Sequence, residues 1–400
     1  MSRSTDPGHF FQTTASLSEI TRKAQKSTNT HGSPIRLPSK ILSIGADPDD
    51  AGRVYVAEAA GTARRVVLET GEISALYTGP AAPLTSLALS PSPTSSAAPR
   101  TLYAGCWDKT IWSWNATTRA PLRRFTGGHT DFVKALLCLR LGGRDILVSG
   151  GADGAIVVWD ARSGEKLYRL MGHVRGILSL AVDPASLGSG IEDGRSGVEG
   201  ETVTLFSGSS DRETRRWRLT ASAGNELADD AATGPVPILA HETSVNALRF
   251  DADADLWTAS ADKSAKCLVR DRGWEADTTL PHPDFVRDVV VDEEGGWIVT
   301  ACRDEEVRVW ERGTGKLYHT FSGHFEEVTG LLLVGRMLVS VSIDATVRKW
   351  SLAPQDLQAA KLEAEKAREG EVVEEKEEPK ESMLTAEEEA ELAELMDDSD

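Results

Sequence analysis

The 400-residue sequence has no run of 18 apolar residues, the length a transmembrane helix needs, and no apolar signal-peptide core near its start. Its four cysteines, Cys106, Cys138, Cys267 and Cys302, form no Cys-x-x-Cys pair, which predicts buried, reduced thiols. A phosphate-binding Walker loop and a Gly-x-Ser-x-Gly nucleophile turn are also missing. We therefore expect a non-enzymatic protein of the cytoplasm, the nucleus or both, with no cofactor, metal or membrane span.

Basic residues are in the minority as well. The net charge is −18, and the segment from 354 to 400 alone holds 18 acidic and 5 basic residues. The first 40 residues carry a net charge of +4, so the central region is also acidic. Direct binding of nucleic acid normally uses a basic face. We therefore expect protein partners and no direct contact with nucleic acid.

The sequence does contain a repeat, in which a Ser or Thr lies four residues before an Asp and a Trp lies six residues after it. A His precedes each of these sets. The complete sets are His129, Ser149, Asp153 and Trp159; His173, Ser207, Asp211 and Trp217; His282, Thr300, Asp304 and Trp310; and His324, Ser340, Asp344 and Trp350. A further set has His241, Thr258 and Asp262, with Leu268 in the Trp position. Self-similarity at about 40–45 residues is typical of a β-propeller array.

Each Asp of the repeat lies between two short segments of alternating apolar residues, which predicts a β-hairpin with the Asp in its turn. A buried carboxylate and a buried indole N–H both need hydrogen-bond partners, and one His–Ser/Thr–Asp–Trp network would satisfy them. Because the trio of His, Ser/Thr and Asp recurs five times, we interpret it as structural rather than as a catalytic triad. The His residues lie too far apart in sequence to predict a metal site.

These motifs resemble the WD40 family, in particular Gly-Gly-His at 127–129, Gly-His at 172–173 and 323–324, and the dipeptide Trp159–Asp160. The resemblance covers about residues 40–352 and implies an all-β, seven-bladed WD40 β-propeller. It also implies a scaffold that mediates protein–protein interactions within a multiprotein complex.

Few residues follow Trp350 before the acidic tail, so the seventh repeat has no fourth strand of its own. The stretch 33–37 precedes the first repeat and is predicted to supply the missing outer strand, which would close the ring. The expected organisation is a disordered tail (1–32), the propeller (33–353) and an acidic, partly helical tail (354–400). Within that tail, helices are expected at 356–369, ending at Gly370, and at 384–396.

Two repeats are degenerate. The first, at residues 40–77, keeps its apolar strands without the polar network, and the second has Asp108 and Trp114 but neither His nor Ser/Thr. Asp108 is therefore expected to face water. Gly-, Ser- and Asp-rich insertions around 183–201 and 221–235 are predicted to be loops.

The resemblance also implies where partners bind. In this fold, partner segments dock on the top face beside the central channel, at positions three and five after each His and one before each Asp. These positions hold aromatic and charged residues: Trp107, Phe132, Lys134, Phe285, Arg287, Arg303 and Glu327. Aromatic and Arg residues are the usual anchors of interfaces.

Three other interpretations stay open. Trp-Asp-Ala-Arg at 159–162 resembles the box of substrate receptors of cullin–RING ubiquitin ligases, although a single copy is weak. A histone-peptide reader in a chromatin complex is the second alternative. The apolar stripe of 384–396 could, thirdly, dock as a helix in a partner's groove.

Overall fold

The structure is a computed structural model that describes residues 14–91, 100–187, 202–228 and 234–377. It opens with helix α1 (Thr14–Ser27) and strand β1 (Ile35–Arg36) and ends with helix α2 (Pro354–Glu377). Residues up to Ala353 form one compact unit, and those from Pro354 form another. No helix in the described part of the chain is long and apolar enough to cross a membrane.

The described residues of the first unit form seven four-stranded antiparallel sheets, which confirms the predicted seven-bladed propeller. Blades one to three contain β2 (Ile41–Ala46), β3 (Arg53–Glu58), β4 (Ala63–Val67), β5 (Ile73–Tyr77); β6 (Leu84–Leu89), β7 (Thr101–Cys106), β8 (Ile111–Asn115), β9 (Pro121–Phe125); β10 (Val133–Leu141), β11 (Arg144–Gly151), β12 (Ile156–Asp160) and β13 (Lys166–Leu170). Each set of four pairs in chain order, so a blade is a simple meander.

The other four blades repeat this arrangement. Blades four to seven contain β14 (Ile177–Val182), β15 (Thr202–Ser209), β16 (Thr214–Thr220), β17 (Gly224–Glu226); β18 (Val245–Phe250), β19 (Leu256–Ser260), β20 (Ser264–Val269), β21 (Glu275–Pro281); β22 (Val286–Asp292), β23 (Trp297–Cys302), β24 (Glu306–Glu311), β25 (Leu317–Ser322); β26 (Val328–Val334), β27 (Met337–Ser342) and β28 (Thr346–Ser351). Short 3-10 helices lie at Pro184–Ser186 and Arg270–Arg272.

The second strand of each blade is almost entirely buried, because neighbouring blades cover both of its faces. In β3 and β23, for example, every residue after the first is buried. One apolar cluster joins Val54 and Val56 of blade one to Val339 and Val341 of blade seven, so the first and last blades pack together. A central channel with a cavity of about 220 Å³ is lined by the innermost strands of all seven blades.

The outer position of blade seven is occupied by β1, which pairs antiparallel with β28 so that Ile35 faces Val347. The N–H of Lys349 donates to the Gly32 carbonyl at 2.7 Å, and Leu37 donates to Ala345 at 2.8 Å. These bonds join the two ends of the propeller, because residues more than 300 positions apart form them.

The part of residues 1–32 that the structure describes contains helix α1, whereas the sequence analysis expected disorder there. The helix α1 ends with Lys26 in its last turn, where a cation interacts favourably with the helix dipole. Its side chains also pair with propeller carboxylates, for example Arg22 with Glu305. Such contacts between distant residues leave no local pattern in the sequence.

Three other expectations need correction. Within the insertion predicted to be a loop at 221–235, β17 forms the outer strand of blade four, where Arg215 pairs with Glu226. Degenerate blade one has a polar cluster of its own, in which the buried Glu58 accepts hydrogen bonds from Thr62 and Arg64. Helix α2 continues through Gly370 to Glu377, since a single glycine weakens a helix without necessarily ending it.

The helix expected at 384–396 and most of the insertion at 183–201 lie outside the described residues.

A glycine substitution tests the packing of the N-terminal segment on blade seven. Gly32 has a φ of +67°, and a Cβ there would lie 2.8 Å from the Trp350 ring. Gly296 has a φ of +66° with nothing within 4 Å of the same position, so it serves as the control. Gly32→Ala should reduce the free energy of unfolding by about 1–3 kcal/mol more than Gly296→Ala, because only the former adds a steric clash. Equal losses in urea unfolding would contradict this packing.

Candidate functional site

The four-residue network of blade seven is a continuous chain of hydrogen bonds at the turn between β27 and β28. Trp350 Nε1 donates to the Ser340 hydroxyl at 2.9 Å, and that hydroxyl lies 2.8 Å from His324 Nε2. On the other side of the ring, His324 Nδ1 lies 2.8 Å from the Asp344 carboxylate. A neutral imidazole that accepts from Ser340 and donates to Asp344 satisfies every group in the chain.

Burial sets the protonation state of this pair. It lowers the pKa of His324 below its ordinary value, despite the neighbouring carboxylate. Burial alone would raise the pKa of Asp344, but the donors on His324 and Thr346 outweigh it and lower the pKa. At neutral pH the pair is therefore a carboxylate and a neutral imidazole, which is a stable structural arrangement.

The same contacts recur in blades three, four and five. The Nδ1-to-carboxylate and Nε2-to-hydroxyl distances are 3.1 and 2.7 Å for His129 with Asp153 and Ser149, 2.9 and 2.8 Å for His173 with Asp211 and Ser207, and 2.8 and 2.7 Å for His241 with Asp262 and Thr258. Trp159 and Trp217 donate to the serines of blades three and four. The carboxylate also accepts the backbone N–H of the residue after the His, as Thr130 does at 2.9 Å.

Blade six departs from the predicted network. Thr300 contacts His282 at 2.8 Å and Trp310 at 2.9 Å, but His282 Nδ1 faces the Leu280 carbonyl at 3.0 Å instead of Asp304. Asp304 binds both terminal nitrogens of Arg308.

The sequence contains the reason for this departure. The residue after His282 is Pro283, which has no N–H to offer the carboxylate. Arg308 replaces the missing donors, and its guanidinium lowers the pKa of Asp304 against the effect of burial, which would raise it. The Pro and the Arg two residues before Trp310 were the signals that the sequence analysis missed.

Asp108 in blade two was expected to face water, but it has its own set of donors. Its carboxylate accepts from the backbone and hydroxyl of Thr110, from Trp112 Nε1 at 3.0 Å and from Arg124 at 2.9 Å. Trp112 lies two residues before Trp114, the Trp that the repeat places six residues after Asp108. The Asp108 side chain is still 22% exposed, compared with 0% for Asp344.

We call the end of the blades with these turns the top face. There, Trp107 of blade two stacks on Phe132 of blade three, with ring centroids 4.9 Å apart and planes inclined by 12°. Trp107 is 44% exposed, although it is a large apolar residue. Lys134, two residues after Phe132, lines the channel, and no ion pair to it occurs among the described residues. These three residues form the aromatic patch of blades two and three.

The other predicted partner-binding residues lie on blades six and seven. The Arg303 guanidinium lies over the Phe285 ring at 5.1 Å from its centroid, and Arg303 is 4.0 Å from Asp284. Arg287, which was expected to be available to a partner, forms an ion pair with Glu327. It is therefore less available than the sequence suggested, because the Glu327 carboxylate of the next blade already binds its guanidinium.

Two further groups have the composition of a site. His173, Asp211 and Glu213, and Asp251, Asp255 and Cys267, place potential metal ligands within 4.8 Å of one another. In the first group, His173 and Asp211 bind each other and Glu213 pairs with Arg215. In the second, Asp251 accepts from Trp257 and Arg312. Since the whole first group and Asp251 of the second already have partners, neither group supports a metal proposal, and the absence of a metal stays a prediction.

The Trp-Asp-Ala-Arg motif forms an ordinary turn. Asp160 accepts the backbone N–H groups of Arg162 at 2.9 Å and Ser163 at 2.7 Å. These two bonds lower the pKa of Asp160 although partial burial would raise it. The local turn explains the Asp without reference to a partner.

Replacing the network carboxylate tests its contribution to stability. Asp344→Ala leaves the donors of His324 and Thr346 buried without an acceptor, which should reduce the free energy of unfolding by about 1–3 kcal/mol. Asp108→Ala should cost less, because water can reach part of its site. Denaturant unfolding of both variants measures the difference, and the opposite ranking would refute the argument.

The protonation of His282 predicts a pH dependence. Burial lowers the pKa of His282 to about 4, compared with about 6.5 in an unfolded chain. As the pH falls from about 6.5 to about 4, the unfolded chain binds a proton before the folded one, so stability decreases by up to about 3 kcal/mol. His282→Gln should lose less stability than wild type between pH 7 and 4.5.

Unfolding in urea at both pH values gives the comparison. Val289→Ala, a core change in the same blade, is the control for general destabilisation and should keep the wild-type pH dependence. The same pH dependence in His282→Gln as in wild type would contradict the prediction.

Comparison with known proteins identifies the repeats. Residues 71–115, 119–160, 274–311 and 315–351 match the WD40 family (WD domain, G-beta repeat). An uncharacterized WD repeat-containing protein of Schizosaccharomyces pombe is 35% identical over 403 residues, covering 98% of this chain and 99% of that protein.

More distant relatives share only part of the chain. The nuclear distribution protein nudF of Aspergillus niger is 28% identical over 180 residues, which is 44% of this chain and 35% of nudF. A chromatin assembly factor 1 subunit FAS2 homolog of Oryza sativa subsp. japonica is 28% identical over 160 residues, which is 38% of this chain and 32% of that protein. The full-length similarity to the S. pombe protein and the matched repeats together show that this chain belongs to the WD-repeat family.

Proposed function

We propose that this protein is a non-enzymatic scaffold whose top face binds a segment of another protein. The stacked Trp107–Phe132 pair is the observation that carries the proposal. Exposing an indole to water is unfavourable, and a partner that covers it gains contact area with little loss of side-chain entropy. Membership of the WD-repeat family supports a role in protein–protein interaction.

The chemistry of the patch suggests what the partner segment contains. The aromatic pair would take an apolar or aromatic anchor, and Lys134 beside it would take a carboxylate. Arg249 also lines the channel, where it lies 3.6 Å from Asp288. An acidic segment with an apolar residue therefore fits better than a basic one, which weighs against a histone tail.

Phe285, Arg287, Arg303 and Glu327 form the second part of the proposed surface. Their mutual contacts hold the four side chains in place, so they would provide shape more than free charge. Such preorganisation reduces the entropy cost of binding. We propose that the partner's anchor binds at blades two and three and that its flanking residues reach blades six and seven.

The remaining proposals depend on parts of the chain with less structural support. A role as a ubiquitin-ligase receptor would use Arg162, which is exposed, but Asp160 is already accounted for by the turn. A partner groove for the helix at 384–396 is proposed from its apolar stripe alone. A location in the cytoplasm or nucleus agrees with the names of the two partial relatives.

The double variant Trp107→Ala with Lys134→Glu tests the proposed surface. Quantitative affinity purification from cells should show its main partners reduced by at least about tenfold, because truncated interface anchors typically cost 2 kcal/mol or more. The melting temperature should stay close to that of wild type, since neither side chain belongs to the buried core.

The matched control is Leu122→Ala with Lys166→Glu. Both residues are exposed on the outer strands of the same two blades, β9 and β13, and the pair repeats the truncation of an exposed apolar side chain and the reversal of a lysine charge. It should capture the partners of wild type. If a folded Trp107→Ala/Lys134→Glu variant captures the same partners at the same level, the top-face proposal is wrong.

A further inference from the structure

Helix α1 is attached to the propeller through pairs of opposite charge. Arg22 donates both terminal nitrogens to Glu305 at 2.7 Å. Lys26, four residues later on the same side of the helix, binds Glu305 at 3.0 Å and Glu306 at 2.7 Å. The basic side of α1 therefore faces a group of carboxylates on blade six.

A third cation extends this contact to the next blade. Lys23 lies 3.1 Å from Glu326, which follows His324 by two residues in blade seven. We call Glu305, Glu306 and Glu326 the acidic edge. It borders the proposed partner surface, because Glu327 directly follows Glu326 and Arg303 lies two residues before Glu305.

Among blades two to seven, an acidic residue directly after the turn Asp occurs only in blade six. The residue after the turn Asp has a left-handed backbone in blades two to seven, with φ between 63° and 78°. These residues are Lys109, Gly154, Arg212, Lys263, Glu305 and Ala345. The three cations among them are exposed, whereas Glu305 is acidic and 4% exposed. The charge is thus reversed in the blade where a basic helix covers the turn.

The contact of α1 with this edge is shallow. None of the residues from Ile20 to Ser27 is buried, and Ile20 is 52% exposed. The Arg22 side chain is 48% exposed. Ion pairs near the surface contribute little to stability and are screened by salt. The segment that follows is held differently, since β1 pairs with β28 and Gly32 packs on Trp350. α1 can therefore leave the edge while β1 stays in place.

We propose that the acidic edge is a docking site for a basic helix, occupied by α1 in the isolated chain and open to a basic helix of a partner protein. Without α1, Glu305 would lose its ion pairs with Arg22 and Lys26, and a basic helix of a partner would supply cations to the same carboxylate. The sequence of α1 defines what the partner helix must carry. It needs two adjacent cationic residues and a third about one turn later, as in Arg22, Lys23 and Lys26. This site goes beyond the proposed top-face surface, since its charge selects the opposite kind of partner segment.

The test uses full-length protein in which α1 has been released. Arg22→Glu with Lys26→Glu places like charges opposite Glu305 and Glu306. Hydrogen exchange should show loss of protection in residues 20–27 and unchanged protection in the strands. Two fluorescent peptides are the probes: residues 14–27 of this chain, and an alanine-based helix of equal length with Arg, Lys and Lys at the same spacing.

Fluorescence anisotropy should show that both peptides bind the released protein on the order of tenfold more tightly than they bind the wild-type protein. In wild type, α1 competes with the peptides for the acidic edge. Binding should weaken in 0.5 M NaCl, a salt level chosen because charges are then screened within about 5 Å. Adding Glu305→Gln and Glu306→Gln to the released protein should abolish the binding of both peptides. If the charge-reversed chain does not fold, Arg22→Gln with Lys26→Gln removes the pairs without repulsion.

Three results would overturn the proposal. Unchanged protection of residues 20–27 would mean that other contacts hold α1. Equal peptide binding to wild type and released protein, or none to either, would mean that the edge is not an exchangeable site. Binding of the 14–27 peptide but not of the alanine-based peptide would restrict the edge to α1 itself and exclude a partner helix recognised by charge.

Discussion

The buried carboxylate in the turn between the second and third strands is the constraint on which the top face of this propeller depends. Such a carboxylate must be supplied with donors, and each of blades two to seven does so with the residues that its sequence makes available. Blades three, four, five and seven use a His and the backbone N–H after it, while blade six uses Arg308 and blade two uses Thr110, Trp112 and Arg124. The turn keeps its shape although the donors change.

This turn also connects the interior of a blade with its surface. The side chains directly before and after the Asp are not members of the network, so they vary in character without disturbing it. Trp107 and Arg303 precede the Asp, and Glu305 follows it. The proposed partner patch and the acidic edge are therefore built on the same structural position in different blades. A repeat fold can in this way carry several binding chemistries on one scaffold.

The distribution of charge separates the two proposed surfaces. The patch at Trp107, Phe132 and Lys134 favours an acidic segment with an apolar anchor, whereas the edge at Glu305, Glu306 and Glu326 favours a basic helix. Both lie on the top face, and Arg287 and Glu327 form an ion pair between blades six and seven beside the edge. A partner with both kinds of segment would be recognised in one orientation only, because the charges would repel each other in the reverse orientation.

The sequence by itself determined the number of blades and the positions of the network residues, because both depend on spacing along the chain. Offsets of four and six residues place Ser340, Asp344 and Trp350 on one hairpin. His324 lies in the adjacent loop. Pro283 would also have revealed the exception in blade six. Only the tertiary structure decided that α1 is helical and lies on blades six and seven, that β17 completes blade four, and that Arg287 pairs with Glu327. These features depend on contacts between residues 40 to 303 positions apart or on pairing with a neighbouring strand, and such contacts leave no periodic signal in the sequence.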